Sequence, residues 1–232
     1  MNVVRDVHAT AQQEAYLFLR EKILSAEYPG GLRLNPAQIG EMLGISRMPV
    51  REALRQLSAE GLVTMKPNRG AVVTRLTALE VEELFGMRAV LEGLAARYAA
   101  SNMTDAALSE IVDAQKRMER ARPDTQRWLK YHDELHQLIC LTGQCMQLPR
   151  EIARIRSAVQ PYLLMYLSIY GRSEMEGYEH DSVIEAIASG VPDTAEKVMR
   201  EHVMSAASGI IDFLKSREIE VKSAEAEPRA TS

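Results

Sequence analysis

The sequence predicts a mainly α-helical protein, with an N-terminal winged helix-turn-helix followed by an all-helical bundle of six to seven helices. Three observations carry this. Helical periodicity recurs along most of the 232 residues, which are rich in Ala, Leu, Met, Glu and Arg and only 5% aromatic. Two short amphipathic segments joined by a glycine-bearing bend precede a β-prone hairpin, and no strand-like segment is convincing after Leu76. The charge also divides there: residues 1–76 carry 10 Lys and Arg against 7 Asp and Glu, net +3, while the remainder carries 18 against 25, net −7. The front of the chain suits an anionic partner and the rest does not.

From Ala11 to Tyr28, Ala15, Leu19 and Ile23 share one helical face, and Pro29-Gly30-Gly31 stops the helix. A second helix is expected from Pro36 to Leu43, ended by Gly44. Ser46 reads as the N-cap of a third, whose stripe is Val50, Ala53, Leu54 and Leu57 and whose end is Gly61. Leu62 to Met65 and Ala71 to Thr74 read as the strands of a wing, joined by Lys66-Pro67-Asn68-Arg69-Gly70. Arg47 and Arg51 lie in the first turns of the third helix, where side chains and the positive helix end can both meet DNA. Solvated arginines on a small helical domain account for the spacing equally well.

Thr77 and Glu80 predict a capping box, and the helix it opens runs to about Ala100 with Val81, Leu84, Phe85, Leu91 and Ala95 inward. Arg88 and Glu92 fall on the same stripe. A charged pair there needs partners: it is either a buried salt bridge or a sign that Arg88 faces a cavity and an anion. Further helices are expected at 104–121, 125–141, 148–170, 174–189 and 192–216, broken at Pro123, Gly143, Gly171 and Gly190-Val191-Pro192. The polar stretch 218–232 is expected to be disordered. The domains are therefore expected at 1–76 and 77–217, followed by that tail.

The first ten residues contain Arg5, Asp6 and His8 and no apolar core, and the run Tyr162 to Tyr170 is too short to span a bilayer. A cytoplasmic protein without a membrane partner is expected, with Cys140 and Cys145 as reduced thiols.

Four of the five histidines fall at core-facing positions. In "YHDELHQLI", His132 and His136 are one turn apart; His180 aligns with Val183, Ile184 and Ile187, and His202 with Val198 and Ala206. A lone histidine of this kind is usually a satisfied core residue, but four coinciding point to a cluster. Imidazoles suit Zn, Ni, Co or Cu, where carboxylates would suit Mg or Ca. The same stretch resembles the H-E-x-x-H helix of zinc proteases with Asp133 in place of the glutamate. A zinc-dependent hydrolase is thus the alternative function. Asp133 is one methylene short for that work, two further histidines would crowd the open position a catalytic water needs, and no other catalytic motif is present, so no enzyme is expected.

"SRMPVREALRQLSAEGLV" and "PNRGAVV" resemble the GntR family of bacterial transcription regulators, whose usual text is S-R-T-P-V-R-E-A-L followed by L-x-x-E-G-L-[VI] and P-x-R-G; the match covers most of residues 11–76. The resemblance implies that Arg47 and Arg51 touch the operator, that Ser46 and the helix start hold phosphate, and that Gly70 lets the wing approach the minor groove. Arg33 and Arg69 complete the DNA-facing set. Met48 stands at the family's threonine and cannot donate a hydrogen bond to phosphate. "MRAVLEGLAARYAA", "YHDELHQLICLTGQ" and "EHDSVIEAIASGVPDTAEKVMREHV" resemble the FCD ligand-binding domain of the FadR-type branch, in which many members hold a metal by D-x-x-x-H and one histidine from each of two later helices. By that resemblance His136, His180 and His202 are ligands, with His132, or Asp133 beside it, at the aspartate position. It further implies a divalent transition metal, zinc before nickel. The protein would be a homodimer acting as a repressor on near-palindromic double-stranded DNA. A small organic-acid effector would be held by the metal with Arg88, Arg156 and Tyr166.

Overall fold

The computed structural model describes residues 10–66, 70–170 and 180–226. It divides into two units between Arg75 and Leu76.

In the first unit, Thr10 caps α1 (Ala11–Leu24) by accepting from the Gln13 N–H. The helix ends four residues before Tyr28. Ala26 turns left-handed at φ 57°, the Tyr28 N–H bonds back to the Lys22 carbonyl at 2.8 Å, and the Tyr28 ring sits edge-on to Phe18. Asn35 and Pro36 start α2 (Pro36–Leu43), and α3 (Arg47–Ala59) follows after Gly44 at φ 68°. The bend between them is tight enough that a Cβ on Gly40 would lie 2.8 Å from the Ile45 carbonyl oxygen. Ala15, Leu19 and Ile23 of α1 pack with Val50, Ala53, Leu54 and Leu57 of α3 as the buried centre of this unit.

Its sheet has the order β1-β3-β2, all antiparallel, from β1 (Arg33–Leu34), β2 (Val63–Lys66) and β3 (Gly70–Val73). Val63 faces Val73 and Lys66 faces Gly70 in the hairpin, while Arg33 and Leu34 pair with Val72 and Ala71. Two residues have no readable periodicity, so β1 is invisible until β3 is beside it. Gly70 has φ 81°, and a Cβ there would meet the Leu34 carbonyl oxygen at 2.8 Å. Its glycine is therefore required by the sheet itself.

The second unit holds, among the described residues, six helices: α4 (Ala78–Ser101), α5 (Asp105–Arg120), α6 (Thr125–Thr142), α7 (Leu148–Tyr170), α8 (Asp181–Ala188) and α9 (Pro192–Ala226). The Thr77 and Glu80 capping box forms at the start of α4. This helix is the axis of the unit, packed against α6, α7, α8 and α9. Its small residues Ala89, Gly93, Ala96, Ala99 and Ala100 let the neighbours approach closely. At Gly93 a Cβ would stand 2.5 Å from Arg200 Cγ.

Of the helix expected over 174–189, residues 174–179 lie outside the described residues, and the described part is helical over Asp181–Ala188, with His180 at the N-cap and making no side-chain cap hydrogen bond. The expected tail from 218 is helical as far as Ala226: Glu218, Glu220, Lys222 and Ala224 are strong helix formers and the next proline is Pro228. Residues 227–232 lie outside the described residues. Among the described residues no helix is long and apolar enough to cross a membrane.

Candidate metal centre and DNA-facing residues

His132 and His136 project from α6, His180 from the N-cap of α8 and His202 from α9. All four are buried, and each offers a ligand atom within 4.8 Å of every other. His136 Nε2 and His180 Nε2 are 3.2 Å apart. That spacing fits adjacent ligands on one ion, since bonds of about 2.0–2.1 Å at tetrahedral angles separate nitrogens by about 3.3 Å. His136 and His180 each lie against the other three rings, His180 and His202 at 4.5 Å between centroids, and Trp128 stacks on His132 at 5.0 Å. Burial lowers the pKa of all four rings, that of His202 to about 4. The imidazoles are therefore neutral near pH 7, and no protons need be expelled before they bind a cation.

Protonation can be assigned from the partners. Glu92, on α4 and 1% exposed, lies 2.5 Å from His136 Nδ1. Burial alone would raise its carboxyl, but Arg88, His136 and Arg156 hold it well below the usual carboxylate range. A carboxylate only accepts, so His136 carries its proton on Nδ1 and presents a lone pair on Nε2 toward His180. Arg156 Nη2 is 3.1 Å from His132 Nδ1, and because a guanidinium only donates, that nitrogen is the acceptor. Arg156 also grips Asp133 through Nε at 3.2 Å and through Nη2, while its Nη1, 3.7 Å from Glu92 Oε2, is buried without a hydrogen-bond partner among the described residues.

The four histidines expected as ligands are thus brought together. Asp133 is not in the cluster: its carboxylate is paired with Arg156, whereas His132 lies among the four histidines whose ring nitrogens could share an ion. Arg88 is buried, donates from Nε to Glu92 Oε1 at 2.8 Å and lies over the Phe85 ring, which is the salt-bridge reading of that stripe. Arg156 is buried beside His132, Asp133 and Glu92. Tyr166 packs its ring against Phe213 and against Gly209, seven residues beyond His202 on α9 and so about 10 Å along its axis. Sequence reasoning saw Glu92 as half of a salt bridge but missed its bond to His136, which depends on how α4 and α6 pack.

On the first unit, Arg33, Ser46, Arg47, Met48 and Arg51 are all exposed. Ser46 occupies the N-cap of α3 but makes no cap hydrogen bond with its side chain. Gly70 opens β3, and Arg69 lies outside the described residues.

Comparison with known proteins gives this arrangement a family. Residues 11–73 match the bacterial regulatory proteins of the gntR family, and residues 83–205 match the FCD domain, more than half of the chain. The HTH-type transcriptional repressor RspR of Escherichia coli is 24% identical over 200 residues, 85% of this chain and 88% of that protein. A probable D-xylose utilization operon transcriptional repressor of Paenarthrobacter nicotinovorans is 26% identical over 208 residues, 86% and 88% of the two chains. Among solved structures, McbR/YncC of E. coli superposes with a TM-score of 0.74 at 19% identity, covering 90% of this chain and 99% of its own, which supports the fold. Proteins of this type regulate transcription and are not enzymes. The chain belongs to the GntR family, as a transcriptional regulator with an N-terminal helix-turn-helix domain and a C-terminal FCD domain.

Proposed function

We propose that this regulator is a cytoplasmic homodimeric repressor whose hold on a near-palindromic operator is controlled by a small organic acid. The acid binds at a divalent metal, zinc before nickel, held by His132, His136, His180 and His202. The observation that carries this is the closed cluster of four buried, neutral imidazoles beside the buried guanidinium of Arg156. The metal would supply a Lewis-acidic position for a carboxylate. Were His132 to hold the ion through Nε2, its ring proton would sit on Nδ1, which could then no longer accept from Arg156. The guanidinium then keeps Asp133 and has N–H groups free for the effector. The hydrolase alternative finds no support, because the carboxylate that would serve as base is held by that same guanidinium. A thermal-shift screen of carboxylates tests the reading. One class should raise Tm in metal-loaded protein only, and Arg156→Ala should abolish the shift; equal shifts with and without metal would sink it.

Operator binding is assigned to α3. Arg51→Ala should weaken it by about 1–3 kcal/mol, roughly five- to 150-fold, with metal content unchanged in the same preparation. Transmission is assigned to α7, which carries Arg156 at the cluster and, beyond Pro161, Tyr162, whose hydroxyl accepts from the Leu76 N–H at 2.5 Å. Leu76 is the first residue after the DNA-binding unit. Pro161 has no N–H and interrupts the helix's bonding between the two, a place where α7 can bend. Tyr162→Phe should retain operator affinity and metal but lose most of the effector-induced release; a full response would exclude this route.

A further inference from the structure

We infer that Met48 is a specificity-determining residue that reads the C5 methyl of an operator thymine in the major groove. The inference rests on the assignment of α3 to operator binding and goes beyond it, to which chemical group one side chain recognises.

The placement comes from helix geometry. At about 100° per residue, Val50, Ala53, Leu54 and Leu57 form one buried stripe of α3, and Met48 lies roughly 170° from its centre. It is 60% exposed, at the middle of the outward face. Arg51, Glu52 and Arg55 follow at i+3, i+4 and i+7, and Arg55 Nη1 donates to Glu52 Oε1 at 2.7 Å. Single exposed apolar side chains are ordinary on protein surfaces. This one lies on the outward face beside Arg51, Glu52 and Arg55, with the small Ala59 at the far end of the same line, and it sits on the first turn of the helix, the turn that enters the groove in helix-turn-helix proteins.

The chemistry then narrows the partner. A thioether donates nothing, so contact with a phosphate would gain it little. The base edges of the major groove present donors and acceptors throughout, with one apolar exception, the thymine methyl. Methionine is unbranched and flexible enough to lay its terminal methyl against it. Removing that methyl should cost about fourfold in affinity at each half-site, the worth of one buried carbon.

The test uses full-length, metal-loaded protein. An operator is first selected from random duplexes, then each thymine is replaced singly by deoxyuridine, which keeps every hydrogen-bonding group and removes only the methyl. The wild type should lose about fourfold at one thymine per half-site. Met48→Ser should bind the thymine and uracil duplexes alike. Met42→Thr is the matched control: Met42 is 63% exposed but lies on α2, so its substitution should leave the uracil penalty intact. A uracil penalty that survives in Met48→Ser, or disappears in Met42→Thr, overturns the inference. So does a selected operator indifferent to uracil at every thymine, while failure to select any sequence would overturn the DNA-binding assignment itself.

Discussion

Replacing His180 and His202 together by alanine should take bound metal from about one ion per chain to none, and should abolish the rise in Tm that metal gives the wild type. The expected rise is large. An ion held at a thousandfold excess over its Kd adds about 4 kcal/mol to the folded state. The metal-free comparison should be far flatter, for two effects oppose. Loss of two buried rings removes packing worth about 2–4 kcal/mol. Their removal also relieves desolvated polar atoms such as His180 Nδ1, which has no hydrogen-bond partner among the described residues, and each such atom costs about 1–3 kcal/mol. The metal-dependent difference is therefore the readout to use. Unchanged metal content on elemental analysis would remove the site as drawn.

Glu92→Ala should be the most damaging single substitution in the second unit, lowering stability by about 3–5 kcal/mol. The carboxylate is 1% exposed and faces three cationic or proton-donating groups: Arg88 Nε at 2.8 Å, His136 Nδ1 at 2.5 Å and Arg156 Nη1 at 3.7 Å. Without it two buried guanidiniums lose their shared counter-charge; Arg156 retains Asp133, so the larger penalty falls on Arg88. The folded-state pKa of Glu92 lies well below its ordinary value of 4.5, so this stabilisation is complete above that value and is lost as the pH falls below it. Glu92→Gln keeps the shape and an acceptor for His136. It should fold more stably than the alanine variant while still weakening metal by about 10- to 100-fold. Urea melts at pH 7 and metal competition measure the two effects. A Glu92→Ala unfolding free energy within about 1 kcal/mol of wild type would show that the carboxylate does not close the cluster.

How much was legible follows from the range of each interaction. The helices and the Thr77 capping box are local, set by residues three or four apart, and were readable. So was the inward direction of His132, His136 and His202, which periodicity along their helices supplies, and that of His180 by its alignment with Val183, Ile184 and Ile187 just after it. The end of α1 was misread because Pro29-Gly30-Gly31 is the more conspicuous stop, whereas the chain turns at Ala26 and is held by Tyr28 against Phe18. The extent of α9 was misread because polarity was taken for disorder, while Glu218, Glu220 and Lys222 favour helix.

The sequence alone determined the fold class and the histidines that form the cluster, which rest on spacing along single elements, and the family, which rests on the resemblance of whole motifs. Only the tertiary structure separated His132 from Asp133: adjacent in the chain, the first lies in the histidine cluster and the second is paired with Arg156 outside it. The same holds for β1, for Glu92 beside His136 and for Tyr162 at Leu76. Each of these joins groups 37 to 86 residues apart. Such pairings are selected by how α4, α6 and α7 or the strands pack, and no local periodicity records that packing.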